Sequence, residues 1–370
     1  MAIAIDSERY QRHKADAASR SRAKSQSGRD IGDIPSCADL ELRAQCEASL
    51  QVFLEQCFPQ AFRLGWSPDH LLLIAELQRV IESGGFRAIG MPRGTGKSTI
   101  IMRAMIWAIC RRLHRFAVIA AANAGKAEKL LRDIVTEVSN NQFLFELFPE
   151  VCYPFRALEG VANRARGQLY HGQSTNILTN KKIVCFAQLE DHPGTGAIVT
   201  ASGLMEAVRG ALHTLPDGSV IRPSMLLCDD FQTRESAMSP VQCHSRIEVI
   251  QNDLVGMAGP DGTMCALVTC TVIRSDDAAD RLLTQEIHPD WCGIRRKFLL
   301  SMPSESAMEL WGQYADIRAK SLRMHGDIRD ATAFYEVHRE EMDNGAEASW
   351  PARYDVKRGE ISAVQHAMNW

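Results

Sequence analysis

A glycine-rich segment between an apolar run and a helix-forming run carries the residues best suited to chemistry in this chain. The segment reads GMPRGTGKSTI, and a strand, a tight turn and a helix in that order are typical of a phosphate-binding loop. Gly94 and Gly96 would let backbone N–H groups point at phosphate oxygens, and the helix that follows adds its dipole. Lys97 would neutralise phosphate charge, and the Ser98 hydroxyl would bind Mg²⁺.

The same segment departs from the standard spacing at one position. The pattern GxxxxGK[ST] places its first glycine at position 91, where this chain has Met91, and Gly90 lies one residue too early. A chance match in an ordinary loop is the alternative interpretation. The strand and the helix that flank the segment favour phosphate binding over chance.

A pair of acidic residues ends a second apolar run, PSMLLCDDF. Hydrolysis of a nucleoside triphosphate needs one carboxylate that holds Mg²⁺ and usually a second that polarises the attacking water. We expect Asp229 to reach the metal through water and Asp230 to act as general base. A buried strand followed by an acidic turn is the alternative, and the upstream motif makes the paired role the better interpretation.

An arginine precedes the Gly-Thr-Gly-Lys turn, although the geometry of such a loop does not require one. The guanidinium of Arg93 could swing onto the γ-phosphate and stabilise transition-state charge within the same chain. A surface arginine without a role is the alternative, and the residues alone leave both open.

Size and composition bound the class of protein that carries these motifs. The chain has 370 residues, of which 45% are hydrophobic and 24% charged, which is enough to bury a sizeable core and excludes a mostly disordered chain. Its apolar runs are far shorter than the roughly 18–20 residues that cross a bilayer, and its N-terminus lacks a signal-type apolar core. We therefore expect a soluble protein that is not exported.

Cysteine usage and net charge narrow the class further. The 11 cysteines include no CxxC pair, and many lie inside apolar runs, which favours reduced core thiols over a disulfide framework or a zinc site. The formal net charge of −3 gives no overall attraction to nucleic acid. Any contact with DNA must therefore come from local basic surfaces.

Apolar runs that alternate with helical periods predict the elements that position the motifs. The predicted strands span 86–90, 116–121, 183–186, 197–200, 224–228 and 265–271, with a last one near 295–300. The predicted helices span 40–58, 68–82, 98–113, 126–140, 241–255 and 304–342. Strands separated by helices imply an α/β fold whose mostly parallel sheet is covered on both faces.

The first 33 residues read differently from the rest. They are rich in Arg, Lys, Ser and Ala and show no apolar period, so they predict a disordered basic arm. Such an arm could bind DNA phosphates or a partner protein, or it could be a solvated tail.

Four motifs in order give the chain a resemblance to the ATPase part of the large terminase subunit, the DNA-packaging motor of tailed bacteriophages and related prophages. They are GMPRGTGKST, whose PRG-x-GKS form is typical of one branch of the family, SGLMEAVRGAL with RPSMLLCDDF, ALVTCTVIRSDDAADRL, and AFYEVHREEMDNGAEASWPARYD. Together they cover most of the chain from about 60 to 357. The resemblance implies a P-loop NTPase core of the RecA-like (ASCE) type at 85–302, a helical N-terminal segment at 34–84 and a helical extension at 303–370.

The resemblance also implies roles for individual residues. Arg93 matches the cis-acting arginine of the family's deviant Walker A motif, which tolerates the loss of the first glycine, and Asp229 matches the Walker B acid associated with Mg²⁺. Asp230 falls where many relatives carry the catalytic glutamate, and Glu235 is the alternative candidate. The nucleotide-binding residues carried over are Pro92, Arg93, Gly94, Thr95, Gly96, Lys97, Ser98 and Thr99, with Ser98 and Asp229 at the metal.

Two further features are implied less directly. Thr269, Cys270 and Thr271 resemble the coupling motif that relays the state of the γ-phosphate to DNA-gripping parts, although Thr also simply favours strands. Arg209 is similar to an arginine of this family branch, which acts on a neighbouring subunit's nucleotide or anchors the fold. Both interpretations of Arg209 stay open.

Residues that contact DNA or adenine are harder to assign. Lys181, Lys182, Arg164 and Arg166 lie in or near predicted loops and are candidates for phosphate contacts, or they are ordinary solvated charges. Phe62 and Trp66 precede the first strand where related ATPases hold adenine, or they pack against the core.

The sequence therefore predicts an Mg²⁺-dependent ATPase that translocates double-stranded DNA. By resemblance, we expect a homo-oligomeric ring of five subunits as the working form, with which a monomer in free solution is compatible. A small terminase subunit and a portal protein on the procapsid are the expected partners. We expect it in the cytoplasm of the bacterial host, and not in a membrane. A P-loop helicase, or a nucleotide-dependent binding or scaffolding module with little turnover, are the alternatives.

The family's second catalytic unit, a nuclease of the RNase H type, would begin beyond SWPARYD. Too few residues follow position 357 for such a domain. We expect that the sequence is either a fragment or a natural motor-only protein, and that it does not cut DNA.

Overall fold

The computed structural model of the chain describes residues 29–192, 195–206, 212–215, 218–258 and 264–370. The predicted basic arm at 1–33 lies almost wholly outside the described residues, and so does Arg209. The described part begins next to the core, because Asp30 forms an isolated parallel bridge with Leu169.

The strands of the described residues fall into one large sheet and three two-stranded sheets. In chain order they are β1 (Gly85–Gly90), β2 (Phe116–Ala121), β3 (Leu169–Tyr170), β4 (Gln173–Ser174), β5 (Leu178–Thr179), β6 (Ile183–Cys185), β7 (Ile198–Gly203), β8 (His213–Thr214), β9 (Val220–Ile221), β10 (Met225–Asp229), β11 (Cys265–Cys270), β12 (Ile294–Arg295), β13 (Leu299–Ser301) and β14 (Glu347–Ala348). The pairs β3–β4 and β8–β9 form short hairpins, and β13 pairs with β14 across the two helices that separate them in the chain.

The large sheet runs in the order β12-β1-β11-β10-β2-β7-β6-β5. Every pairing from β12 to β7 is parallel, and only β6 and β5 add antiparallel pairs at one edge. The prediction of an α/β fold with a mostly parallel sheet is therefore confirmed. The antiparallel edge arises because a short turn joins β5 to β6, whereas parallel neighbours need a longer crossover.

Helices of the described residues cover the sheet and extend beyond it. In chain order they are α1 (Leu40–Ala48), α2 (Leu50–Cys57), α3 (Pro68–Ser83), α4 (Lys97–Cys110), α5 (Ala124–Asn140), α6 (Gln142–Leu147), α7 (Pro149–Arg156), α8 (Arg234–Ala237), α9 (Pro240–Glu248), α10 (Ala278–Leu282), α11 (Glu305–His325), α12 (Arg329–Met342) and α13 (Ala363–Met368). None of these helices is both long enough and apolar enough to cross a membrane.

Strands β2 and β11 show why the sheet forms where it does. Both are buried at all six positions, as expected for parallel strands with helices on both faces. Alternate residues face opposite sides: Ile119 lies in the apolar cluster that includes α2 to α7, whereas Val118 lies in the cluster with α9 and α10. The core therefore has two layers separated by the sheet.

Most predicted boundaries lie within three residues of the observed ones, but three predicted helices and the last predicted strand differ. The helix predicted at 304–342 is two helices, α11 and α12, because α11 ends at the left-handed Gly326, and the strand predicted near 295–300 is the two short strands β12 and β13. The helix predicted at 40–58 is two helices, because the Ser49 side chain accepts a hydrogen bond from the Val52 N–H and starts α2 as a new helix. The helix predicted at 241–255 ends at Glu248 and continues as a π-helical turn, Val249–Leu254. Apolar periodicity does not distinguish these continuations from one regular helix.

The C-terminal extension has a small core of its own. Helices α11 and α12 pack as a pair around Trp311, Tyr314 and Tyr335, whose rings contact one another at centroid distances of 5.1–6.3 Å. The Tyr335 hydroxyl bonds both oxygens of Asp343 and the Ser362 hydroxyl. Strand β14 then pairs with β13 and brings the chain back toward the large sheet.

Candidate functional site

Three of the predicted motifs follow neighbouring strands of the large sheet. The glycine-rich loop (residues 91–96) follows β1, the acidic pair lies at the end of β10, and residues 269–271 end β11, which lies between those strands. Ile89 pairs with Thr269, and Thr269 pairs with Asp229. Because the carboxyl ends of parallel strands meet at one edge, motifs almost 180 residues apart converge there.

The glycine-rich loop ends at an uncapped helix start. Gly94 and Gly96 both have a left-handed backbone, with φ of 73° and 79°. Gly96 is the N-cap of α4 and supplies no side-chain cap hydrogen bond to the first turn. The first N–H groups of α4 thus have no side-chain acceptor from the cap, and these groups with the helix dipole attract anions.

The Lys97 ammonium lies at the centre of a small polar network. The side chain is 4% exposed. Its Nζ donates a hydrogen bond to the Thr271 hydroxyl at 2.8 Å and lies 3.3 Å from Asp230 Oδ1. The Thr271 hydroxyl in turn lies 3.2 Å from the same carboxylate oxygen. A charged group this deeply buried needs such partners, and they hold the ammonium at the edge of the loop.

The Asp229 carboxylate is buried between two hydroxyl groups. Thr269 Oγ1 donates to Asp229 Oδ1 at 2.7 Å, and the Ser98 hydroxyl also bonds to this carboxylate. Burial raises the pKa of the Asp229 carboxyl, and the charge of Asp230 raises it further, whereas the two hydroxyl donors lower it. A bound cation would favour the ionised form of this group.

Ser98 and Asp229 have the donor chemistry that Mg²⁺ requires. Both offer hard oxygen ligands, and their direct hydrogen bond shows that the two groups can reach one ion. Within the described residues, no group of three or more His, Cys, Asp or Glu side chains is placed to hold a metal. A magnesium ion here would therefore complete its shell with water and phosphate oxygens, as Mg²⁺ commonly does.

The structure places the two candidate bases very differently. Asp230 has a left-handed backbone with φ of 42°, its N–H donates to the Thr269 carbonyl, and its carboxylate faces Lys97 and Thr271. Glu235 lies on the exposed first turn of α8, where hydrogen bonds from its own N–H and from Thr233 lower the pKa of its carboxyl. Asp230, and not Glu235, therefore shares the network of Lys97.

A cavity of about 800 Å³ opens beside the glycine-rich loop. Its wall contains Thr271 and three arginines, Arg93, Arg234 and Arg353, and no Asp or Glu side chain among the described residues. The Arg93 side chain is exposed on this wall. The cavity thus combines positive charge with direct access to the hydroxyl that contacts Lys97.

The remaining sequence candidates lie apart from this network. Lys181, Lys182, Arg164 and Arg166 are exposed, and Arg164 pairs with Glu159. Coupling candidate Cys270 is fully buried, and its thiol lies against the Ile89 carbonyl. Exposure and the Arg164–Glu159 pair do not by themselves assign a DNA-binding role to the four basic residues.

The aromatic candidates ahead of the first strand pack against one another and against α4. Phe62 and Trp66 have ring centroids 4.9 Å apart, and the Arg103 guanidinium lies 5.6 Å from the Phe62 ring. Both are half-buried at the edge of the core. A second cavity, of about 480 Å³, has Ser98, Thr99 and Arg103 in its wall.

Sequence reasoning gave no role to a histidine that holds the glycine-rich loop. His70 is 2% exposed, and its Nε2 lies 2.7 Å from the Thr95 carbonyl, which can only accept. Nδ1 accepts from the Ser67 N–H, so the ring is the neutral Nε2–H tautomer. Burial lowers the pKa of His70, which agrees with this state. Only the Ser67–Pro68 helix start is visible in the sequence, and it does not show what Nε2 contacts.

A scan of the chain against known protein families finds no match, and no curated protein matches its sequence.

Proposed function

We propose that this chain hydrolyses ATP with Mg²⁺ and is the motor part of a large terminase subunit, which translocates double-stranded DNA. One observation carries the ATPase proposal. Lys97, Ser98, Asp229, Asp230 and Thr271 meet at the carboxyl edge of three adjacent parallel strands, directly beside a glycine-rich loop. This edge is where open α/β sheets bind their ligands.

The triphosphate would lie against the glycine-rich loop and the start of α4. The left-handed backbones of Gly94 and Gly96 let the loop curve closely around an anion, and the uncapped first turn of α4 offers N–H donors. The Lys97 ammonium would exchange part of its pairing with Asp230 for contacts to phosphate oxygens.

Ser98 and Asp229 would hold Mg²⁺, which supplies positive charge to the phosphate oxygens when it is bound. The Asp229 carboxylate must be ionised for this role, and the Thr269 hydroxyl favours that form by donating to Oδ1.

Asp230 is the proposed general base. Its side chain is 31% exposed, so water can approach it, and its carboxylate is fixed by Lys97 and Thr271. When the water attacks the γ-phosphorus, Asp230 accepts the proton, and ADP leaves with the electrons of the broken P–O bond. Arg93, on the wall of the adjacent cavity, would stabilise the negative charge that develops.

The link to DNA translocation rests on the resemblance of four ordered motifs to the terminase family. Thr271 supports a coupling role, since its hydroxyl joins Lys97 to Asp230 at the end of β11. Loss of the γ-phosphate would change this hydrogen bond and move the strand end. The portal protein, the procapsid and the small terminase subunit remain the proposed partners, with a ring of subunits as the working form.

Steady-state hydrolysis tests the ATPase proposal. We expect Mg²⁺-dependent turnover by the wild type, and a loss of about a hundredfold or more in Lys97→Ala and Asp230→Asn, because each removes a group that acts on the transferred phosphate. Lys320→Ala, which changes an exposed lysine on α11, is the matched control and should keep full activity. Wild-type turnover no higher than that of Lys97→Ala would refute the proposal and leave a nucleotide-binding or scaffolding module.

A triplex-displacement assay tests translocation separately. On double-stranded DNA that carries a third strand, the wild type with ATP should displace that strand, and Asp230→Asn should not. Separation of the duplex strands themselves would instead identify a helicase. ATP hydrolysis without displacement of the third strand or separation of the duplex would contradict the proposal of a motor but not the proposal of an ATPase.

Mixing experiments distinguish the two arginine candidates. Arg93→Ala and Arg209→Ala are each assayed alone and together with Lys97→Ala subunits, which bring intact arginines but an inactive site. We expect no rescue of Arg93→Ala, because Arg93 lies on the wall beside its own chain's loop. Rescue of Arg93→Ala by mixing would show that it acts on a neighbouring subunit.

A further inference from the structure

The C-terminal extension returns to the glycine-rich loop through a short turn, residues 349–353. The Ser349 N–H donates to the Phe298 carbonyl at 2.8 Å, and Trp350 Nε1 donates to the Gly65 carbonyl at 2.8 Å. The Arg353 N–H then donates to the Trp350 carbonyl at 3.1 Å, which closes the turn. The returning turn is thus bonded both to the strand region before α11 and to the chain before α3.

The returning turn touches the glycine-rich loop at two places. The Trp350 ring packs edge-on against His70, with centroids 4.5 Å apart, and His70 holds the Thr95 carbonyl. The Arg353 guanidinium lies directly on Gly94, since a Cβ placed at that position would overlap Nη2 and lie 3.2 Å from Nη1. Only glycine permits this approach, because any side chain at position 94 would occupy the space of the guanidinium.

The Arg353 guanidinium forms no ion pair in the described part of the chain, although the charge of the Glu360 carboxylate acts on it without direct contact. It packs over the Phe298 ring at 5.4 Å, and its Nη1 is a buried atom without a hydrogen-bond acceptor. Burial lowers the pKa of this guanidinium, although arginine still stays charged. The surrounding carboxylates are engaged elsewhere: Glu360 with His366 and Asn369, Asp230 with Lys97, and Asp229 with hydroxyl groups.

A partly desolvated guanidinium with a buried N–H that lacks an acceptor is costly, and a phosphate is an anion whose geometry suits its fork of N–H donors. Arg353 also lines the cavity that Thr271 and Arg93 share, and the Thr271 hydroxyl contacts the Lys97 ammonium. The terminal phosphate of a nucleotide at the loop would therefore lie between Lys97 and Arg353.

We propose that Arg353 binds the terminal phosphate of ATP in the same chain, so that the C-terminal extension distinguishes ATP from ADP. This inference rests on the proposed nucleotide-binding function and adds the residue that reports the γ-phosphate. The returning turn carries both Trp350 and Arg353, so loss of that phosphate releases one anchor of the extension while the contact of Trp350 with His70 stays. The extension is thereby the part of the chain that responds to hydrolysis.

The test compares affinities for a slowly hydrolysed ATP analogue and for ADP, each measured by fluorescence titration with Mg²⁺. For Arg353→Gln we expect the Kd of the ATP analogue to rise about 10- to 100-fold, the effect of losing a charge-assisted hydrogen bond, and the Kd of ADP to change less than about threefold. Arg353→Lys keeps the positive charge but not the forked pair of N–H donors, so its Kd for the ATP analogue should lie between those of the wild type and Arg353→Gln. Arg358→Gln, at an exposed arginine that pairs with Asp355, should match the wild type.

Several outcomes would overturn the inference. If Arg353→Gln binds the ATP analogue and ADP more weakly by the same factor, Arg353 has a packing role. The same holds if both Arg353 variants have a lower Tm but unchanged affinity for the two nucleotides. Weaker binding of double-stranded DNA with unchanged preference for the ATP analogue would show a DNA phosphate contact instead. Binding of the ATP analogue by the wild type but not by Lys97→Ala supports the proposed function. If Arg353→Gln then prefers the ATP analogue over ADP as strongly as the wild type does, the role of Arg353 is contradicted and the proposed function is not. Wild type that binds neither nucleotide contradicts the proposed function as well.

Discussion

Removal of the Thr271 hydroxyl offers the sharpest test of the network at the strand ends. Thr271→Val keeps the shape of the side chain but removes the acceptor of the Lys97 ammonium, at 2.8 Å, and a donor to Asp230, at 3.2 Å. Hydrogen bonds to charged groups contribute about 1.5–3 kcal/mol each. Lys97 keeps Asp230 at 3.3 Å, so we expect a net loss of about 2 kcal/mol in the free energy of unfolding.

Thermal unfolding and ATP hydrolysis together measure this effect. A loss of about 2 kcal/mol should lower the Tm of a chain of 370 residues by about 2–3 °C, because the entropy of unfolding is about 2.1 cal/mol/K per residue. If the hydroxyl also positions Lys97 and Asp230 for catalysis, kcat/KM should fall about tenfold or more, since each 1.4 kcal/mol of transition-state stabilisation is a factor of about ten.

Two control variants complete the experiment. Thr271→Ser restores the hydroxyl without the methyl group and should recover most of the activity. Thr136→Val removes a hydroxyl that bonds only the Arg132 carbonyl on an exposed part of α5, so its Tm should change little. A Thr271→Val protein with the Tm and the activity of Thr136→Val would refute the network as a functional unit.

Three further predictions follow from single contacts. Gly94→Ala should lose more stability and more affinity for the ATP analogue than Gly326→Ala. Both glycines have a left-handed backbone, but only a side chain at position 94 would also meet the Arg353 guanidinium. Thermal unfolding and nucleotide titration of the two variants measure the difference. Asp229→Asn should raise the Tm of the nucleotide-free protein, because burial disfavours the charged carboxyl that it replaces. The same variant should lose Mg²⁺-dependent ATP hydrolysis. A lower Tm would contradict the burial argument. Burial lowers the pKa of His70, so the stability that neutral His70 contributes is complete above about pH 6.5, the ordinary pKa of histidine, and is lost as the pH falls from there toward its folded-state pKa. His70→Phe should therefore reduce the dependence of the unfolding free energy on pH between pH 7 and pH 5, measured by chemical unfolding. An unchanged pH dependence would contradict this assignment.

Local pattern was enough for most of the fold. The apolar runs at β1, β2, β10 and β11 predict their strands to within one residue at each end, because strands buried on both faces must be apolar throughout. The same reasoning missed the helix breaks at Ser49 and Gly326 and the π-helical turn after Glu248. The break at Ser49 depends on a side-chain cap hydrogen bond, which an apolar period does not encode.

The sequence by itself determined which residue types could act on a phosphate, since GTGKS and the acidic pair have that chemistry in any fold that flanks them correctly. Only the tertiary structure decided which of them meet. The strand order puts β11 between β1 and β10, and this order brings Asp230 and Thr271 to Lys97 while Glu235 stays on an exposed turn.

The tertiary structure alone also placed His70, Trp350 and Arg353 against the glycine-rich loop, from positions before and far after it in the chain. Their side chains carry no local pattern for this role, because contacts between distant segments depend on how helices and strands pack and not on the spacing of residues.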